Sequence, residues 1–359
     1  MGEYISTFGS SLLVPSVQEL AKDPIINVPS RYLRPDQDPT VISDHDPLCF
    51  PDKIPAVDYY NLISGDSAIA SLELEKLHLA CKDWGFFQLV NHGISSTLVE
   101  KIKTEVQCFF NLPMEEKQKF WQTPGEVEGF GQAFVVSEEQ KLDWNDIFFV
   151  STLPVHTRKP HLFPKLPSPF RETLETYSLE LKDLAMGILE QIEKALKVKA
   201  KEVTELFEGG LQSIRTNYYP PCPQPEQVIG LTPHSDAGGL TILLQVSEVE
   251  GLQIKKDGIW VPVKPLPGAF IVNVGDALEI ITIGAYRSIE HRATINSEKE
   301  RLSIATFYSP RFDGEMGPAY SLITEQSPQK YRRIGVEEFF RGLFSRELDR
   351  KSYLDSMKL

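Results

Sequence analysis

The stretch LTILLQVSEVEGLQIKKDGIWVPVKPLPGAFIVNV, residues 240–274, is the part of the chain that decides its fold class. It contains four short runs rich in β-branched and aromatic residues, separated by Gly, Pro and charged turn residues: Leu240–Val246, Gly251–Ile254, Trp260–Val263 and Phe270–Val274. Runs of this length at this spacing are typical of antiparallel strands. Because a further run follows at Leu302–Tyr308, the region predicts an antiparallel sandwich or barrel.

The chain before this region has the pattern of helices. Asp66 and Ser67 precede apolar residues spaced by three and four positions, which predicts a helix that ends at Gly85. A strand is predicted over Phe86–Val90, a second helix from Ser95, and a third helix of about seven turns over residues 170–195. Helices followed by a β-rich region predict an α+β fold with a double-stranded β-helix (jelly-roll) core, backed by N-terminal and C-terminal helices.

The predicted organisation is one structural domain with four parts. Residues 1–50, rich in Pro, Asp and Ser, are expected to form an extended N-terminal segment. Residues 51–209 form a helical part with a few strands, residues 210–312 form the jelly-roll core, and residues 313–359 form a C-terminal helical segment.

Composition restricts the classes of partner. The net charge of −13 disfavours nucleic acid and anionic lipid surfaces. The four cysteines form no CxxC pair, so we expect reduced thiols and a cytoplasmic protein. No apolar run approaches the about 20 residues of a membrane span, and no signal-peptide pattern is present. We expect a monomer that acts on a small molecule. The Met1-Gly2 start fits a short acylation pattern without a supporting basic patch, so acylation of Gly2 stays open.

His234-Ser235-Asp236 places an imidazole and a carboxylate two positions apart, and on an extended strand both point to the same face. His291 follows several predicted strands that a sandwich can fold back beside this pair. Two imidazoles and one carboxylate leave other positions of a metal open, which is the arrangement of non-haem Fe(II) oxygenases. Zinc hydrolases use the same ligand types, but their helical H-E-x-x-H string is absent. The alternative is a chance H-x-D pair in a polar loop.

Arg301 begins the last strand-like run, in which alternation places Arg301 and Ser303 on one face. A guanidinium fork beside a hydroxyl suits bidentate capture of a carboxylate in a water-poor pocket. The alternative is an arginine at the rim that pairs with Glu298 or Glu300.

Asn217 and Tyr219 form a similar pair upstream. Alternation places both side chains on one face of a strand, and Pro220-Pro221 ends that strand so that the two polar groups lie near its end. The alternative is that the strand simply ends at this point and that Tyr219 is a core residue without a functional role.

Together, N-x-Y, H-x-D, the distal histidine and R-x-S resemble, in order and spacing, the plant Fe(II)/2-oxoglutarate-dependent dioxygenases. The resemblance covers roughly residues 50–310 and includes Trp84–Gly93. It is strongest to the branch of the senescence-related dioxygenases and the codeine and thebaine O-demethylases, through Val14–Leu20, Gly129–Gln132, Leu142-Asp143-Trp144 and Ser352–Asp355. Two departures are small and remove no ligand: Ser235 stands where many relatives have threonine, and Ile283-Gly284 where Asn-Gly is common.

The resemblance implies a mechanism and its cofactors. His234, Asp236 and His291 would hold Fe(II), and the far carboxylate of 2-oxoglutarate would bind Arg301 and Ser303. Tyr219 would assist at the cosubstrate, with Asn217 near the metal. With O₂, and with ascorbate supporting activity, the enzyme would hydroxylate or O-demethylate a small, mostly aromatic specialised metabolite or hormone precursor. Succinate and CO₂ would be released.

Two further residues are candidates for contact with the substrate. Phe307 shares the face of Arg301 and could form an aromatic wall, or could belong to the core. Arg215 faces the same way as Asn217 and could meet a polar substrate group, or could pair with a carboxylate at the rim. Two other functions stay open: a non-catalytic protein that binds a metabolite or hormone, and an ascorbate-using oxidase. The identity of the substrate is not determined by the sequence.

Overall fold

A computed structural model describes residues 11–22, 27–35, 37–38, 54–123, 126–132, 135–345 and 352–359. Gly2, the possible acylation site, lies outside these ranges. Among the described residues, no helix is both long enough and apolar enough to cross a membrane.

Two antiparallel-rich sheets form the core. Within the described residues, the larger sheet has eight strands in the order β1-β2-β10-β7-β12-β5-β4-β3, and the smaller has four in the order β6-β11-β8-β9. A two-stranded pair, β13-β14, lies apart from both. The strands are β1 (Ala56–Asp58), β2 (Phe86–Val90), β3 (Gly129–Gly131), β4 (Asp146–Leu153), β5 (Leu211–Tyr219), β6 (Leu231–His234), β7 (Leu240–Gln245), β8 (Leu252–Lys256), β9 (Ile259–Pro262), β10 (Phe270–Val274), β11 (His291–Ala293), β12 (Arg301–Ser309), β13 (Glu315–Met316) and β14 (Ile334–Gly335).

Helices cover the outer face of the larger sheet. The longest, with 29 residues, buries Phe170, Leu181 and Ile188 in one apolar cluster with Ile242 and Ile304 of the sheet. The helices are α1 (Val17–Leu20), α2 (Tyr59–Leu62), α3 (Ser67–Leu79), α4 (Ser96–Phe110), α5 (Met114–Lys117), α6 (Ser168–Leu196), α7 (Thr204–Phe207), α8 (Asp276–Ile281), α9 (Val336–Phe344) and α10 (Ser352–Asp355). The outer face of the sheet is therefore structural, and its inner face is left for the site.

The predicted fold class is confirmed. The four runs within residues 240–274 form β7 to β10. The described α-helices lie before and after the β-rich region, except α8, which lies between β10 and β11. Phe86 and Ile271 of the larger sheet pack with Ile254 and Val261 of the smaller one, so the two sheets face each other as in a jelly roll.

The first predicted helical segment ends at Gly85 as expected, but its last turn is π-helical. Asp66 caps it as expected, accepting hydrogen bonds from the N–H groups of Ala68 and Ile69. After Leu79, however, the chain continues as a π-helical turn over Ala80–Trp84, closed by a hydrogen bond from the Gly85 N–H to the Ala80 carbonyl. Gly85 has φ +63°, and a Cβ there would lie 2.2 Å from the carbonyl oxygen of Arg287. This close approach is a long-range contact that helical periodicity cannot reveal.

Candidate active site

Two histidines from neighbouring strands of the smaller sheet lie side by side. His234 ends β6 and His291 begins β11, and the two residues are direct partners in the strand pairing. Their ring centroids are 4.3 Å apart. Asp236 lies two residues after the end of β6, and its Oδ1 lies 3.6 Å from His234 Nε2 and 3.7 Å from His291 Nε2. The structure thus brings together the three residues predicted to share a metal, with their ligand atoms all within 4.8 Å of one another.

Hydrogen bonds orient all three side chains toward a common point. His234 Nδ1 lies 2.8 Å from the Thr232 carbonyl, and His291 Nδ1 lies 3.1 Å from the Ile289 carbonyl. Because a carbonyl only accepts, each Nδ1 must carry the proton, and each Nε2 then presents a lone pair. Asp236 Oδ2 accepts hydrogen bonds from Thr241 (2.6 Å) and Asn273 (2.7 Å), which leaves Oδ1 facing the imidazoles.

The protonation states favour metal binding. Burial, helped by the neighbouring His234 and opposed by Asp236, lowers the pKa of His291 to about 4. Burial alone would raise the pKa of Asp236, but the two imidazoles and the Thr241 hydrogen bond outweigh it and hold that pKa well below its usual range. A neutral imidazole and a charged carboxylate are the forms that bind a metal. Two imidazoles and one carboxylate fit Fe(II) with open positions for further ligands.

A row of polar side chains lies on the inner face of the larger sheet. In the pairing of β12 with β5, Arg301 is opposite Tyr219 and Ser303 is opposite Asn217. The guanidinium carbon of Arg301 lies 5.2 Å from the centroid of the Tyr219 ring. Asn217 Nδ2 donates to Ser303 Oγ at 3.3 Å. The four residues predicted to hold a cosubstrate are therefore adjacent.

The alternative in which Arg301 is a rim residue does not fit the structure. Arg301 is only 3% exposed. Glu300 accepts hydrogen bonds from Tyr218 and Gln107 instead, and among the described residues Arg301 forms no ion pair with Glu298 or Glu300. Burial lowers the pKa of Arg301, an effect that Tyr219 opposes.

Several buried polar atoms on this face have no hydrogen-bond partner among the described residues. They are Arg301 Nε, Arg215 Nε, Asn217 Oδ1 and Gln245 Oε1. Burying such atoms without a partner costs about 1–3 kcal/mol each, so their presence indicates a polar ligand. A planar guanidinium beside the Ser303 hydroxyl fits the carboxylate of 2-oxoglutarate.

The two predicted substrate residues lie in the next rows of the same face. Arg215 is opposite Ala305, and Phe307 is opposite Ser213 on one side and Thr241 on the other. Phe307 is partly exposed, whereas Arg215 is buried. Thr241, the partner of Phe307 on β7, donates a hydrogen bond to Asp236. Phe307 is therefore close to a residue that orients a candidate metal ligand.

Sequence reasoning missed four residues of this face. Thr241 and Asn273 hold Asp236, Gln245 is opposite Ser303, and the partly exposed Phe149 is opposite Arg215. The sequence signal that could have found them was a polar residue within an otherwise apolar strand, such as Asn273 within Phe270–Val274. Alternation alone cannot tell which strands become neighbours.

Comparisons with known proteins agree with this geometry. Residues 210–310 match the model of the 2OG-Fe(II) oxygenase superfamily, and residues 54–166 match the model described as non-haem dioxygenase in morphine synthesis N-terminal. A solved structure, JOX2 in complex with 2OG, Fe and JA, is similar over 98% of this chain and 99% of that one, with a TM-score of 0.87 and 35% identity.

Three curated relatives are similar over nearly the whole chain. Protein SRG1 of Arabidopsis thaliana is 60% identical and codeine O-demethylase of Papaver somniferum is 53% identical, each over 98% of both chains. Oxoglutarate-dependent flavonoid 7-O-demethylase 1 of Ocimum basilicum is 56% identical over 98% of this chain and 92% of its own.

Proposed function

The chain belongs to the plant Fe(II)/2-oxoglutarate-dependent dioxygenases, and from that premise we propose that it hydroxylates or O-demethylates a small, mostly aromatic specialised metabolite or hormone precursor. It is an enzyme that uses Fe(II), 2-oxoglutarate and O₂. The names of two relatives, codeine O-demethylase and flavonoid 7-O-demethylase 1, support O-demethylation as the reaction. Support of the activity by ascorbate stays a prediction.

We assign roles to individual residues on the same basis. His234, Asp236 and His291 would hold Fe(II), and Arg301 and Ser303 would bind the far carboxylate of 2-oxoglutarate. Tyr219 would assist at the cosubstrate, and Asn217, which donates to Ser303 Oγ, would lie near the metal. Fe(II) held there would supply the activation of O₂, coupled to oxidative decarboxylation of 2-oxoglutarate, by which a C–H bond of the substrate would be oxidised. The protein orients the reactants and excludes water.

The observation that carries the proposal is the buried Arg301, which has no anionic partner among the described residues. It lies on β12, whose neighbour β7 carries Thr241, a hydrogen-bond donor to the candidate metal ligand Asp236. A purely structural arginine at this depth would be paired, because an unpaired buried charge is costly. A protein that only bound a metabolite would need neither the ligand set nor this cation.

The remaining inner face indicates the kind of substrate. Phe307 and Phe149 present partly exposed aromatic rings, and Arg215 adds one buried cation with a free donor. These groups suit a planar aromatic molecule with one polar group.

In O-demethylation, one oxygen atom of O₂ enters the substrate methyl group and the other enters succinate, while the C1 carboxylate of 2-oxoglutarate leaves as CO₂. The resulting hemiacetal collapses to a free hydroxyl and formaldehyde.

The test is a substrate screen with the full-length protein, Fe(II) and 2-oxoglutarate. The panel contains O-methylated alkaloids, flavonoids, coumarins and hormone precursors, and succinate and formaldehyde are both measured. O-demethylation gives equal amounts of the two, whereas hydroxylation gives succinate and a product one oxygen atom heavier. Turnover without 2-oxoglutarate would identify an ascorbate-using oxidase. Tight substrate binding without any succinate would identify a binding protein.

The wider setting is part of the proposal. We place the Fe(II) and 2-oxoglutarate chemistry in residues 210–312, after the extended segment 1–50 and the part at residues 51–209, and before the helical segment 313–359. The enzyme is proposed to act as a cytoplasmic monomer without nucleic-acid or membrane partners. The net charge of −13 and the free thiols of Cys81, Cys108 and Cys222 support this setting. Size-exclusion chromatography with light scattering tests the monomer.

A further inference from the structure

The strand that carries His234 is weakly held by its own backbone. β6 has four residues and lies at the edge of the smaller sheet, where β11 is its one neighbour among the described strands. The pairing shifts register between His291 and Ala293, and Pro233 has no N–H to donate. The position of His234 must therefore depend on contacts from outside the sheet.

Asp143 provides such a contact. Its Oδ2 accepts a hydrogen bond from the Thr232 N–H at 3.1 Å, and its Oδ1 accepts one from the Thr232 hydroxyl at 2.6 Å. The Thr232 carbonyl in turn accepts the bond from His234 Nδ1 at 2.8 Å. The Asp143 carboxylate thus accepts a backbone hydrogen bond that a second neighbouring strand would otherwise accept. It also fixes the Thr232 peptide, whose carbonyl orients the His234 imidazole.

Arg34 of the N-terminal segment completes the arrangement. Its Nη2 lies 3.1 Å from both Asp143 Oδ1 and Thr232 Oγ1, and its backbone N–H donates to the Gln227 carbonyl at 2.7 Å. The side chains of Arg34 and Asp143 are 24% and 17% exposed, so the ion pair is partly shielded from water. Arg34 consequently holds Asp143 in the orientation that serves Thr232.

The loop around Asp143 is itself held firmly. Trp144 is fully buried, its backbone N–H donates to the Ile229 carbonyl at 2.7 Å, and its indole N–H donates to the Pro220 carbonyl at 3.2 Å. Gln132 donates to the Asp143 carbonyl at 3.1 Å. Asp143 therefore projects from a firmly held loop and can define the position of the edge strand β6.

We propose that Asp143 is a positioning residue for the iron ligand His234, acting through Thr232, and that Arg34 is the partner that orients it. This inference rests on the iron site of the proposed function. A hydrogen-bond partner that fixes the tautomer and the ring orientation of a metal-bound histidine commonly affects metal affinity as well as activity. It would give the Leu142-Asp143-Trp144 motif a chemical role, and would make the N-terminal segment part of the metal site.

The experiment measures Fe(II) binding and amide exchange rather than turnover. Fe(II) is titrated anaerobically into the metal-free full-length protein, and hydrogen exchange of the Thr232 amide is followed in parallel. We expect Asp143→Ala to raise the dissociation constant for Fe(II) about ten-fold and to speed exchange at Thr232. Asp143→Asn, which keeps one acceptor, and Arg34→Ala should each give a smaller increase.

Arg333→Ala is the matched control. Arg333 is 26% exposed and pairs with Glu315 of β13, which belongs to neither of the two sheets that carry the site. It should leave Fe(II) affinity and Thr232 exchange unchanged. If Asp143→Ala does not fold, Asp143→Asn and Thr232→Val carry the test. Asp143→Asn removes one carboxylate acceptor and the charge that faces Arg34, and Thr232→Val removes only the contacts of the hydroxyl with Asp143 and Arg34.

The outcomes separate this proposal from the one it rests on. If the wild-type protein bound no Fe(II), the proposed iron site would be wrong. If the wild type bound Fe(II) and the folded Asp143 variants bound it equally well, the positioning role would be overturned. Loss of affinity in Arg333→Ala to the same degree would mean that the effect is one of general stability, and would also overturn it.

Discussion

Replacing Arg301 with lysine tests how this protein recognises its cosubstrate. Arg301 lies on β12, is 3% exposed and has its guanidinium over the ring of Tyr219. Its Nε has no hydrogen-bond partner among the described residues. Lysine keeps the positive charge but replaces a planar fork with a point charge, so only the paired geometry of a bidentate contact is lost. The substitution therefore tests the geometry of the contact between Arg301 and the carboxylate separately from its charge.

The magnitude follows from one lost charge-assisted hydrogen bond. Such a bond contributes about 1.5–3 kcal/mol. Since about 1.4 kcal/mol corresponds to a factor of ten, the affinity for 2-oxoglutarate should fall about ten- to a hundred-fold. Fe(II) affinity should not change, because the described contacts of Arg301 do not involve the three ligand residues.

The assay is an anaerobic titration of 2-oxoglutarate into the iron-loaded protein. Arg158→Lys is the control, because Arg158 is also well buried and bonds to Glu175 and the Thr152 carbonyl outside the proposed site. Its cosubstrate affinity should match the wild type. Unchanged affinity in Arg301→Lys, with the fold intact, would refute the assignment of Arg301 to the carboxylate.

Three further predictions concern the metal, the substrate and stability. His291→Ala should lower iron occupancy and abolish turnover, and a variant that kept both would show that the ligand set is wrong. Phe307→Ala should raise the KM for substrate while uncoupled decarboxylation of 2-oxoglutarate stays near normal; equal loss of both would refute its role as a pocket wall. Burial raises the pKa of Glu128 to about 6 despite two hydrogen bonds from Ser151, so the folded state holds this proton more tightly than the unfolded chain. The resulting stabilisation of about 2 kcal/mol is present at low pH and is lost as pH rises from about 4.5 to 6. Melting temperatures of wild type and Glu128→Gln across this range should differ in slope, and parallel curves would contradict the shift.

Local patterns were enough for much of this molecule. The short runs of aromatic and β-branched residues at Phe86–Val90 and Phe270–Val274 predicted two strands that the structure contains with the same bounds. The Asp66 cap and the periodicity after it predicted the start of α3. These features depend on neighbouring residues in the chain, and so the sequence carries them directly.

Other features depend on contacts between distant segments. The π-helical turn at Ala80–Trp84 accompanies the close approach of Gly85 to Arg287, about 200 residues further along the chain. The positions of Thr241 and Asn273 beside Asp236 depend on the order of β7 and β10 in the larger sheet. Strand order and register are set by long-range pairing, which alternation along one strand does not encode.

The sequence by itself determined the α+β class, the ligand types at His234, Asp236 and His291, and the shared face of Arg301 and Ser303. The fold class, the H-x-D pair and the R-x-S pair follow from residue type and short spacing, whereas His291 was placed beside the H-x-D pair by the predicted return of the sandwich and by the family resemblance. Only the tertiary structure decided that the two imidazoles are direct strand partners, that Arg301 has no carboxylate partner within the described part of the chain, and that Asp143 supports the strand that ends at His234. The physical reason is that sheet register, burial and unmet hydrogen-bonding capacity exist only once distant segments pack together.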